Sequence, residues 1–189
     1  MTQAELDEDA KYLRGNCLAA LPLDEIEAES IFPATVLVDT REGTPYHFLS
    51  ISPWSVVPLE HTGLKTGDYT LRGFQDRLTI ERKSIGDFLG SITAERPRFE
   101  REFERMAQME FAAVVVEGEL SDVLEHARTK TRIKTDSILG TVNSWMIRYG
   151  VHFYFAMGRR HAEIETLQLL YQFYRNEQKR FKQIEKALA

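Results

Sequence analysis

Gly67-Asp68-Tyr69-Thr70-Leu71 and, after a short interval, Leu78-Thr79-Ile80-Glu81-Arg82-Lys83-Ser84-Ile85-Gly86-Asp87 decide how this chain is read. Both runs have strand character. Arg72-Gly73-Phe74-Gln75-Asp76 between them reads as a turn, so the two form a hairpin. Alternate residues of a strand share a face, so Glu81 and Lys83 point together with Cα atoms roughly 6.6 Å apart. The hairpin's two strands carry the two main carboxylates, Asp68 and Glu81. Hard cations want such oxygen ligands, and Mg²⁺ keeps several waters beside one or two carboxylates. Arg82 falls on the opposite strand face and cannot share the role of Lys83. It is expected to pair with an acid such as Glu42 or Asp87, or to reach a phosphate with its fork. Ser84 suits a helix N-cap with Asp87 at the third helical position, which places a capping role for Asp87 ahead of metal binding.

The pattern G-D-x(n)-E-R-K-x3-D is filled here by Gly67, Asp68, Glu81, Arg82, Lys83 and Asp87. Upstream, V-D-x-R-E occurs as Val38-Asp39-Thr40-Arg41-Glu42, and Phe88 to Ile92 with Arg98-Phe99 add a third similarity. In these motifs the chain resembles the nuclease domain of the XPF-type (xeroderma pigmentosum group F) structure-specific endonucleases, over roughly residues 35 to 157. It resembles a free-standing form, as in a phage or bacterium. The resemblance implies a restriction-endonuclease-like α/β fold with a central mixed sheet flanked by helices on both faces. It implies a divalent-metal-dependent endonuclease that hydrolyses phosphodiester bonds in branched or flapped DNA, for DNA repair, recombination or phage DNA processing. Asp68 and Glu81 are then the implied ligands of Mg²⁺ or Mn²⁺, and Arg41, Glu81, Arg82 and Lys83 are implied to be required.

Asp39 and Glu42 are the next metal ligands expected, completing or tuning the acidic cluster. Lys83 is expected to orient or deprotonate the attacking water and to stabilise developing negative charge. Arg41, between two acids, is expected to contact the scissile or adjacent phosphate. The contrasting reading is a non-catalytic XPF-like scaffold that binds a DNA junction or a partner. The intact acids and Lys83 weigh against it, because pseudonuclease partners in the family tend to lose them. A third reading keeps the fold but takes duplex ends or single strands as substrate. Many relatives continue into a tandem helix-hairpin-helix module, and no such repeat is read after Tyr174. Junction selectivity is therefore expected from the domain itself, from homodimerisation or from a recruiting protein.

With 189 residues and 43% apolar content, one domain with a full core is expected. A single cysteine, Cys17, excludes an internal disulfide. The net charge of −5 argues against a generic nucleic-acid coating protein, yet a metal site needs acids and DNA needs only a local basic surface. Arg98, Arg101 and Arg105 recur at helical spacing just after the motif and are the first DNA-binding candidates. Arg128 to Lys134 and Arg159-Arg160 are further basic clusters, and each cluster equally suits a solvated face. The five histidines show no ligand spacing, and there is no Gly-rich phosphate loop, so neither a His-based zinc site nor ATP use is expected. Met1 to Ala10 is acidic without a charged-then-apolar leader, and no apolar run reaches the ~20 residues of a membrane span. A cytoplasmic or nucleoid-associated protein is expected.

Residues 1–33 read as an N-terminal appendage and 34–189 as the nuclease domain with a C-terminal helix. Strands are expected at 35–39, 46–49, 112–117 and 151–155, with residues 50–63 a loop. Helices are expected at 95–109, 120–127 and 135–148, the last stopped by Gly150, and at 160–187 as one helix or two. The apolar face of 135–148, with Leu167, Leu170, Tyr171 and Tyr174, suits either a dimer contact or ordinary core, with core preferred.

Overall fold

Phe111-Ala112-Ala113-Val114-Val115-Val116 is buried from its second residue onward and forms a strand covered on both faces, as its unbroken apolar character requires. It belongs to a six-stranded mixed sheet in a computed structural model that describes residues 30–131 and 133–188. The strands are β1 (Val36–Asp39), β2 (Leu59–Thr62), β3 (Tyr69–Leu71), β4 (Leu78–Lys83), β5 (Phe111–Val116) and β6 (His152–Phe155). Their order across the sheet is β2-β1-β3-β4-β5-β6. β1 pairs antiparallel with β3 and β3 with β4, whereas β1–β2, β4–β5 and β5–β6 are parallel.

Helices cover both faces of this α/β sheet. α1 (Ile85–Ile92), α2 (Arg96–Met106), α3 (Leu120–Lys130) and α4 (Thr135–Tyr149) bury Phe88, Phe99, Phe103 and Trp145 with Ala112, Val114 and Val116. α5 (Arg159–Leu188) packs Ala162, Leu167 and Leu170 on the other face, against Leu78, Ile80, Ala113 and Val115. The alternation thus sends Leu78 and Ile80 toward α5 and leaves Glu81 and Lys83 on the face covered by α2. Leu167 and Leu170 are core residues, as preferred, and the C-terminal segment is one helix. No helix among the described residues is long and apolar enough to cross a membrane.

Two local readings change. Residues 46–49 are not a strand: Phe48 and Ser50 adopt positive φ (52° and 53°), which breaks an extended run, although Tyr46 and Phe48 are buried in the core. Within the expected loop 50–63, Leu-Glu-His-Thr forms β2. It is a short edge strand, paired with β1 on one side, so burial leaves little imprint on its sequence. The packed body also reaches back past residue 34, since Phe32 is buried against Trp54 and Tyr171. The rest of the expected appendage, 1–29, lies outside the described residues.

Candidate active site

Three adjacent strands bring acids to one end of the sheet. Val38 is opposite Tyr69, and Tyr69 is opposite Ile80, so the next residue along places Asp39, Asp68 and Glu81 in one row. The main chain joins the row: Asp39 N–H donates to Asp68 O at 2.8 Å, and Asp68 N–H donates to the oxygen of Ile80, the residue before Glu81, at 2.9 Å. Gly67 turns the chain into this row at φ +69°. A Cβ there would meet Thr79 Oγ1 at 2.0 Å, so both the turn and the close approach require glycine.

The row opens into a cleft of about 500 Å³ lined by Asp39, Arg41, Glu42, Asp68, Glu81, Arg82, Lys83, Asp87, Arg98, Glu102 and Arg105, among others. Asp68 Oδ2 accepts the Arg82 main-chain N–H at 2.8 Å, while Oδ1 has no hydrogen-bond donor among the described residues. Glu81 is buried, with Oε1 2.5 Å from Lys83 Nζ. Burial, then the charge of its neighbour Glu81, pushes the Asp68 carboxyl well above the usual carboxylate range. Burial also pushes Glu81 up, against the pull of Lys83. Burial draws the Lys83 ammonium down, but Glu81 outweighs it and leaves Lys83 above its ordinary value, a fixed cation at neutral pH. Its Nζ lies 4.7 Å from the centre of the Phe99 ring, a cation–π contact that holds it over α2.

The upstream acids are differently engaged. Asp39 Oδ1 accepts from Arg41 N and Nε at 2.7 and 2.8 Å, and Oδ2 accepts from Arg41 Nη2 and Leu64 N at 2.8 and 2.7 Å. The Arg41 side chain beside Asp39 holds that carboxyl below its usual value. Arg41 Nη2 also donates to Leu64 O, yet its side chain remains 70% exposed and Nη1 has no partner among the described residues. Glu42 is gripped by Arg82 through Nε and Nη2 at 3.0 and 3.2 Å. Burial raises the Glu42 carboxyl, but Arg82 and Thr44 more than offset it. The alternation therefore sends the Arg82 side chain to Glu42, one of its two expected acids.

Ser84 caps α1 by accepting the Asp87 N–H at 3.2 Å, and its hydroxyl donates to Asp87 Oδ2 at 2.6 Å. Asp87 stays exposed at the rim. α2 brings Arg98 and Arg105 to the cleft, but not Arg101. Among the described residues no group of three or more His, Cys, Asp and Glu side chains gathers at metal-ligand spacing. Two carboxylates with unpartnered oxygens still form a donor set that suits Mg²⁺ or Mn²⁺, which fill the remaining positions with water.

The ERCC4 domain matches residues 38–173. This chain belongs to the ERCC4-domain family. Among solved structures, XPF from Aeropyrum pernix is similar at 22% identity and TM-score 0.56, over 76% of this chain and 61% of that one. XPF from Aeropyrum pernix in complex with DNA is similar at 21% identity and TM-score 0.54, over 76% and 66%. The chain thus spans less than two thirds of either neighbour. This likeness carries the fold, and the mixed sheet with helices on both faces is the restriction-endonuclease-like arrangement. No curated protein sequence matches this chain.

The sequence reading of this ERCC4 domain passed over Glu102 and Glu117, and took Arg159 only as part of a basic cluster. Glu102 sits four residues after Arg98 and three before Arg105, so helical spacing alone puts it on the same face. Its Oε1 lies 3.4 Å from Thr66 Oγ1 and 3.5 Å from Gly67 N. Glu117 and Arg159 carry no such signal, because their partners are distant in sequence.

Proposed function

We propose that this ERCC4 domain is a divalent-metal-dependent endonuclease that hydrolyses phosphodiester bonds in branched or flapped DNA. The convergence of Asp68, Glu81 and Lys83 at the sheet's end, in an open cleft rimmed by Arg41, Arg98 and Arg105, carries this reading. A solved structure of a neighbour with the same fold holds DNA, which supports DNA as the polymer.

Asp68 and Glu81 would hold Mg²⁺ or Mn²⁺, which when bound acidifies a coordinated water and polarises the phosphoryl oxygen. Lys83, kept protonated by Glu81, sets a positive charge where negative charge develops on the phosphate. Arg41 is held by Asp39 with Nη1 directed to no other group, so its remaining N–H donors serve a phosphate. Arg98 and Arg105 extend that positive rim along α2. Asp39 and Glu42 act here by holding Arg41 and Arg82.

The test uses labelled 3′ flap, splayed-arm, four-way-junction and linear duplex DNA with Mg²⁺, with Mn²⁺ and with EDTA. Metal-dependent cutting of the branched forms, lost in Lys83→Ala, is the expected result. Binding of these DNAs without cutting under either metal would replace the proposal with a non-catalytic junction scaffold.

A further inference from the structure

On the face of β4 away from Glu81 and Lys83, four charged side chains alternate in sign. Arg82 grips Glu42, and its Nη1 lies 3.0 Å from Glu117 Oε2. The other Glu117 oxygen accepts from Arg159 Nη1 at 2.7 Å. Arg159 Nη2 then donates to the main-chain oxygens of Thr44 and Pro45 at 2.7 and 3.0 Å, and its guanidinium lies 4.9 Å from the centre of the Tyr46 ring. The side chains of Arg82, Glu42 and Glu117 are 10, 6 and 11% exposed, so water screens these three little and each depends on its neighbours, while Arg159 at the end of the chain is 45% exposed.

Neither Glu117 nor Arg159 lines the cleft. Their reach into it runs along two routes. The Arg82 side chain is fixed on one face of the strand while its main-chain N–H holds Asp68 Oδ2 on the other. Glu42 is also the neighbour of Arg41, so the relay fixes the segment from which Arg41 reaches the cleft. α5 reinforces that segment further on, where Glu163 Oε1 accepts from the His47 and Phe48 N–H groups.

We infer that Glu117 and Arg159 are positioning residues of the active site, tying the first residue of α5 to the peptide that holds Asp68 and the segment that carries Arg41. The inference rests on the endonuclease reading for its catalytic consequence, but not for its structural one. Groups that orient a site's own ligands typically cost about 10–100-fold in activity when removed.

The experiment compares wild type, Arg159→Ala, Arg159→Lys, Glu117→Gln and the Arg159→Ala/Glu117→Gln double variant. It reads single-turnover cleavage of a labelled flap with Mn²⁺, affinity for that DNA, and hydrogen exchange of the Glu42, Thr44 and Tyr46 amides. Those amides are each hydrogen-bonded, to Asp39 O, to Glu42 Oε1 and to Tyr69 Oη. Arg159→Ala and Glu117→Gln should each slow cleavage by roughly 10–100-fold with DNA affinity unchanged. The double variant should be little worse than either single one, and Arg159→Lys should recover part of the rate. Exchange of the three amides should quicken in Arg159→Ala. A wild-type rate in both single variants would overturn the inference, as would a loss carried entirely by DNA affinity. If the wild type cuts no DNA, the endonuclease reading fails by itself. Unchanged amide exchange in Arg159→Ala then overturns the relay.

Discussion

Asp68 and Glu81 face each other across a hydrogen-bonded pair of strands, and their titration is the site's most direct signature. Both hold their protons more tightly in the folded chain than an ordinary carboxyl does. Folding therefore takes up protons between the ordinary values, 3.8 and 4.5, and the raised ones, about 8 for Asp68. Their contribution to stability is full below that window and is lost as pH rises through it. In EDTA, Asp68→Asn should gain on wild type as pH goes from 5 to 8, with each 1 kcal/mol worth roughly 2–4 °C in Tm. Thermal melts at the two pH values read this directly; a gap that stays constant would mean that burial and the neighbouring Glu81 do not raise the Asp68 carboxyl in the metal-free site. Asp39 runs the other way, since its carboxyl is held low and its contribution is lost only as pH falls. Gly67→Ala should cost about 1–3 kcal/mol by denaturant titration, because φ +69° and the approach to Thr79 both reject a side chain. These residues were legible because each sits in a local pattern. The sequence could not show that Asp39 is also engaged by Leu64, which arrives from a distant turn.

At the scale of elements, the β3–β4 hairpin and the helix that follows it were readable from alternation and from the Ser84 cap. Ser84→Ala removes the acceptor for the Asp87 N–H and should cost about 1 kcal/mol while leaving cleavage largely unchanged. Thermal melts and cleavage on one preparation check both halves, and a collapse of activity at unchanged Tm would give Ser84 a different role. α2 was found from Phe99, Phe103 and Met106, and the same helix carries Arg98, Glu102 and Arg105 to the cleft. Arg101, from the same basic run, points elsewhere, which the one-dimensional spacing of the three arginines does not distinguish. β2 was missed for a different reason. A four-residue parallel edge strand is specified by its neighbour β1 rather than by its own pattern.

The described residues form one sheet between two unequal helical layers, and that sandwich puts Asp68 and Glu81 on one face and the Arg82 side chain on the other. The order of strands and helices supported an α/β sheet, and the motif resemblance supplied the restriction-endonuclease-like arrangement. The pairing of Arg82 with Glu42 was expected, but its continuation through Glu117 to Arg159 became visible only with the fold. The far end of α5 takes no part in either core: Phe181, Ile184 and Leu188 are exposed. Truncation after Arg180 should shift stability by no more than about 0.5 kcal/mol by urea titration, and a large loss would show that this end is packed. The central claim is that Asp68 and Glu81 make a metal site that cuts DNA. The most direct measurement is single-turnover cleavage of one labelled flap by wild type, Asp68→Asn and Glu81→Gln, with DNA binding measured on the same samples. Cutting by the wild type with Mn²⁺ but not with EDTA, absent from both variants although they still bind the flap, is the predicted result. Equal cutting by wild type and both variants would contradict it.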